Sequence, residues 1–175
     1  MAVLAIPAAA LKFGFGIDLA AAGLSVRGAG SWLPLTLALS AVGFAIGFLS
    51  KKSPADLVSY PQFLPSRWTV TGWTIEIGSW SIYLAAYEFA FRGYLLAALA
   101  PLGPVAAVTA TTALYAVAHL PKSSKEAAGA VPFGVIASLL SLRYGSIVPA
   151  FAIHLAIALG NDSGSLRAIR KMAAE

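Results

Sequence analysis

Cysteine is absent from this 175-residue chain, which removes disulfides, thiol nucleophiles and thiolate metal ligands together and leaves the redox compartment unread. Charge is nearly absent too. Only 11% of residues are Asp, Glu, Lys or Arg while 59% are hydrophobic, a balance far outside that of a soluble domain. Its twelve basic residues against seven acidic ones are scattered between apolar runs, so they do not form the footprint of a nucleic-acid binder, and no nucleic-acid partner is expected. Histidine occurs only twice, which makes both copies conspicuous. What remains is apolar sequence in long blocks, and it predicts an all-α integral membrane bundle forming a single domain over residues 1–175.

Each membrane crossing takes roughly 20 apolar residues, so the length accommodates about six transmembrane helices with little left over. The N-terminal stretch lacks a basic leader and a small-residue cleavage site, so it is expected to be a retained first helix, interrupted by Lys12 and Asp18. Gly28 to Ser50 carries no charge and reads as the second span, with Pro34 tolerated in its first turn. Residues 51–67 hold Lys51, Lys52, Arg67 and three prolines, and are expected to form a loop with interfacial character around Tyr60 and Trp68. Further spans are expected at about 73–100, ending at "APLGP", and at 105–120, 127–142 and 146–160, with a polar tail from Asn161. With the N-terminus inside, the cytoplasmic segments would carry three, two and three basic residues, which predicts both termini on the cytoplasmic side, in a plasma (inner) membrane.

A lone ionisable side chain at mid-membrane costs about 2.5 to 3.5 kcal/mol, so such residues face the bundle interior and have a partner or a task. Glu88 and Arg92 stand four residues apart on one helix face, close enough to pair, and a purely structural ion pair is the competing reading. His119 ends one apolar run with Tyr115 one turn before it; taken alone it would more often be a packing residue. His154 lies within the last span with no charged neighbour on its own helix, and Asn161 follows two turns later on the same face. A glutamate and two histidines from three helices suit general-base activation of water in a water-poor cavity. Two histidines and a glutamate could also ligate zinc, although no HExxH is present and the ligands would come from separate helices. Lys122 and Glu126 read as a solvated i,i+4 pair, and Arg143 with the basic tail as topology determinants or contacts to anionic lipid head groups.

Three segments, "YEFAFRGYLL", "YAVAHLPK" and "LRYGSIVPAFAIHLAIAL", resemble the three motifs of the CPBP family of membrane proteins, which includes the type II CAAX prenyl endopeptidases and bacteriocin-processing or self-immunity proteins. The resemblance covers about residues 77–161. Glu88, Arg92, Tyr115, His119 and His154 match motif positions, while Tyr87 stands where the family has a first glutamate and Ala158 where it has an asparagine. The resemblance implies an intramembrane peptidase with Glu88, His119 and His154 as catalytic residues, and Arg92, Tyr87, Tyr115 and Asn161 in support. Its substrate would be a membrane-anchored or C-terminally tagged protein. No cofactor is expected, with a divalent metal such as zinc held by Glu88, His119 and His154 as the alternative. The Tyr87 and Ala158 departures keep open a catalytically inactive relative serving as an immunity-type partner or subunit of a membrane complex. A proton-linked carrier is the remotest reading, since the chain is short and shows no repeated halves.

Overall fold

The computed structural model describes residues 23–63, 65 and 67–174, and the expected first span with Lys12 and Asp18 lies outside them. The described residues are helical, without strands. Helix α1 spans Ala29–Leu49, α2 Pro54–Ser59, and α3 Val70–Glu88. The last runs without a break into a π-helical segment, Phe89–Leu95, then α4, Leu96–Leu99, and a 3-10 turn, Ala100–Leu102. Helices α5 (Pro104–His119), α6 (Ser124–Tyr144) and α7 (Val148–Met172) complete the chain. Ala29–Leu49, Val70–Leu102 and Ser124–Tyr144 are each long and apolar enough to cross a membrane, and the protein is an integral membrane protein.

Two boundaries differ from the sequence expectation. The stretch at 51–67 is not all loop. Ser53 caps α2 by accepting from the Asp56 N–H at 3.2 Å, while the Asp56 carboxylate accepts from the Ser53 N–H at 2.7 Å, a reciprocal capping box. Tyr60, expected at the interface, is instead buried and stacked on Trp80 with ring centroids 5.6 Å apart. The polar tail is not a tail either: α7 continues from the apolar run through Asn161 to Met172, because Asp162 and Ser165 are fully buried against other parts of the protein.

Contacts group the described residues into two compact units, one of residues 23–34 and 85–151, the other of 35–84 and 152–174. In the first, α5 and α6 form an antiparallel hairpin. Gly134 lets the Thr112 side chain of α5 come close, since a Cβ there would sit 3.0 Å from Thr112 Cγ2. Leu96, Ala107 and Val108 form the apolar core beside them, with Leu99 and Val135 packed on it. Helix α6 stops at Gly145, whose φ of +59° is the left-handed conformation that ends helices most cheaply when no Cβ is present. The following turn is pinned to the start of the described chain, with Ile147 N–H donating to Gly23 O at 2.9 Å and Ser146 Oγ–H to Ser25 O at 2.6 Å.

The second unit rests on a close approach of α1 and α7. Gly43 and Gly47 face Gly160 and Gly164, a four-residue spacing of glycines on both helices. A Cβ on Gly47 would lie 2.7 Å from Ile157 O and 2.8 Å from Asn161 N, one on Gly164 2.7 Å from Phe48 O, and one on Gly160 would collide with Phe44 O. Backbone meets backbone here. In lipid, where apolar side chains gain little by leaving the solvent, such contact is what holds helices together. The outward faces of α1 carry Leu37, Val42, Ile46 and Leu49, exposed and apolar as lipid contact requires.

Candidate functional site

The first unit gathers Glu88, Arg92, Tyr115 and His119, four of the polar residues that the sequence placed in apolar runs. Glu88 closes α3 and Arg92 lies inside the π-helical segment, where Leu96 N–H donates to Phe91 O five residues back instead of four. Such a widened turn is a recurrent device at functional sites, and in a membrane it survives only where protein covers the disturbed backbone. Phe89, Arg92 and Gly93 within it are all buried.

Arg92 Nη1 lies 2.9 Å from Glu88 Oε2, with both side chains at 0% exposure. Its guanidinium also lies over three aromatic rings, 4.0 Å from the centroid of Tyr115, 5.4 Å from Phe133 and 5.9 Å from Phe91. Desolvated cation–π contacts of this kind are worth about 2 kcal/mol or more, so the cation is held by the rings as well as by the carboxylate.

Tyr115 carries the contact on to His119. Their ring centroids are 4.5 Å apart, and His119 Nδ1 lies 2.8 Å from Tyr115 O, one helical turn back. A carbonyl only accepts, so Nδ1 bears a proton in this contact, and in the neutral form of the ring Nε2 is the basic nitrogen. Backbone geometry thus selects the tautomer. Tyr87 joins the same cluster by edge contacts, 5.8 Å to His119 and 5.5 Å to Tyr115, and by a tilted contact at 4.8 Å to Phe91. Glu88, Arg92, Tyr115 and His119 therefore form one contiguous buried cluster, with the half-buried Tyr87 at its edge.

His154 and Asn161 belong to the second unit. His154 is half-buried on α7, and Asn161 Oδ1 accepts from Lys52 Nζ at 2.7 Å. Ala158, between them, is buried. Lys122 Nζ and Glu126 Oε2 are 3.9 Å apart and partly exposed, a loose pair at the entry to α6, where Ser123 Oγ caps the helix by accepting from Glu126 N–H. Among the described residues no three His, Asp or Glu side chains cluster in a way that could hold a metal ion. The guanidinium beside Glu88 also opposes a second, divalent charge at that carboxylate.

Sequence reasoning did not find the π-helical segment, the aromatic cradle of Arg92, or a second set of buried acids. Glu76 and Asp162, both at 0% exposure, lie in the second unit. Their signal was present: acids in or beside an apolar span, each as costly to bury as Glu88.

Residues 77–160 match the family described as Rce1-like, type II CAAX prenyl endopeptidase Rce1-like. No curated protein and no solved structure matches the chain.

Proposed function

We propose, from the match of residues 77–160 to the Rce1-like family, that the protein is an intramembrane endopeptidase that hydrolyses a peptide bond in a membrane-associated substrate. The observation that carries the reading is the buried Glu88–Arg92 pair joined through Tyr115 to a histidine of assigned tautomer, all inside the matched residues. Glu88 accepts the proton of the attacking water as the new bond to the carbonyl carbon forms. Arg92, fixed by the rings beneath it, aims the carboxylate. His119 Nε2 supports the oxyanion with the Tyr87 hydroxyl as a further donor, and His154 is proposed as catalytic from the motif match alone. The proton taken by Glu88 passes to the leaving amine, which restores the carboxylate. No metal enters this scheme.

The substrate is a membrane-anchored or C-terminally tagged protein delivered from the bilayer, and the enzyme sits in a plasma (inner) membrane with both termini cytoplasmic. Glu88→Gln and His154→Ala abolish processing of such a substrate while leaving the protein folded; unchanged processing by both variants overturns the assignment. One observation favours a second reading. Tyr87 packs its ring against His119 and Tyr115 where a first carboxylate would stand, an apolar filling that suits a non-catalytic partner in a membrane complex. In that case neither variant has an activity to lose, and wild-type protein fails to cleave as well.

A further inference from the structure

The second unit holds a buried polar centre that plays no part in the scheme above. Glu76, on α3, accepts the Gln62 N–H on Oε1 at 2.7 Å and the Phe63 N–H on Oε2 at 3.0 Å, so both its oxygens face donors. Asp162, on α7, accepts the Trp80 indole N–H on Oδ2 at 2.8 Å. Its Oδ1 is buried and meets no donor, and because Trp80 stands one turn after Glu76 on α3, this bond brings the Asp162 carboxyl to the helix face that carries Glu76.

Two carboxylates cannot face one another in a dry site unless something sits between them. The nearby cation is Lys52, but its Nζ is directed to Gly47 O at 2.7 Å, Ser50 Oγ at 3.0 Å and Asn161 Oδ1 at 2.7 Å. We propose that Glu76 and Asp162 form a proton-binding site, a carboxylic acid–carboxylate pair holding one proton, which fastens residues 62 and 63 to α3.

Asp162 carries the proton, because Glu76 is committed to two backbone donors while Asp162 has an oxygen without one. Asp162 lies past the apolar run of α7, and its carboxyl is pushed up to about 8, by burial first and by Glu76 next, against the Trp80 hydrogen bond and the charge of Lys52. The remaining titratable groups around the pair are otherwise engaged. Asp56 caps α2, Tyr60 and Tyr83 pack on the Trp80 ring, Arg167 lies over Phe48, and His154 is two turns away on α7.

The folded state holds a proton that the unfolded chain, with an ordinary aspartate, has released above about pH 4. Stability from this site is therefore full below about pH 4, falls as pH rises, and is gone above about pH 8. Asp162→Asn keeps an N–H donor towards Glu76 and an acceptor for Trp80, but cannot titrate.

Measured by thermal or denaturant unfolding in detergent, the unfolding constant of the wild type should rise relative to D162N by up to about tenfold per pH unit between pH 5 and 8, then level off. A ratio independent of pH over pH 5 to 9 overturns the proposal. Infrared difference spectra on wild-type protein labelled with 13C-aspartate need no variant. A protonated-carboxyl band that shifts with the label and disappears between pH 6 and 10 is expected, and its absence at pH 6 overturns the proposal. Glu76→Gln removes the neighbouring negative charge and should move the loss of that band to lower pH; an unmoved band also refutes the pairing.

Discussion

Replacing Arg92 by methionine tests the cluster most directly, because it keeps an unbranched side chain over the Tyr115 and Phe133 rings while removing the cation. Glu88 is then left at 0% exposure without the guanidinium that lies 2.9 Å from it in the wild type. Breaking a buried pair by removing one partner costs about 3 to 5 kcal/mol, and the lost cation–π contact is part of that sum. At about 2 to 4 °C per kcal/mol for a chain of this size, R92M should lower the apparent Tm by roughly 6 to 20 °C. The double variant E88Q/R92M removes the stranded charge as well, and replacing a whole buried pair by neutral groups is close to neutral. It should recover most of the loss, leaving a coupling of about 2 to 4 kcal/mol in the double-mutant cycle. Intrinsic fluorescence during thermal unfolding in detergent reads all four proteins. The reasoning is refuted if R92M unfolds within about 1 kcal/mol of wild type, or if the double variant is as damaged as the single one.

Three further outcomes follow from the packing. Gly160→Ala drives a methyl into the Phe44 carbonyl, and Gly47→Ala places one 2.7 Å from Ile157 O, so each should cost about 1 to 3 kcal/mol or more. Gly129→Ala, in α6 with open space around it, should instead stabilise by up to about 1 kcal/mol; equal effects at the three sites would disprove the close approach of α1 and α7. Ser53→Ala breaks the capping box of α2 and should lose about 1 kcal/mol, with faster amide exchange confined to residues 54–59; protection unchanged there would remove the cap from the argument.

How much of this was legible in the sequence depends on which physical cost left a mark. Glu88, Arg92 and His119 stood out because charge and imidazole in an apolar run demand an explanation, and the structure joins them through Tyr115, which shares the His119 face by helical spacing. The same rule applied to Glu76 and Asp162 points to a second polar centre, but acids near the ends of apolar runs pass easily for solvated ones. Their burial depends on chain 14 and 82 residues away, at Gln62 and Trp80. Polar composition after Gly160 hides the continuation of α7, since its buried face is built from small residues, glycine and serine, that resemble a linker. The repeated four-residue glycine spacing in α1 and α7 is readable as close helix contact. The π-helical segment left no trace, because FAFRGYL has no composition that separates it from an α-helix.

That segment also bears on how this chain is compared with others. One residue advances an α-helix by about 100°, so an extra residue absorbed within a turn rotates everything before it relative to everything after it. Tyr87 and Glu88 lie upstream of the widened turn and Leu96 downstream. A chain of the same length without the turn would point the residue aligned with Tyr87 or Glu88 in another direction. Against a chain that lacks the turn, whether Tyr87 occupies the place of a first glutamate is a question of helical phase before it is one of residue identity.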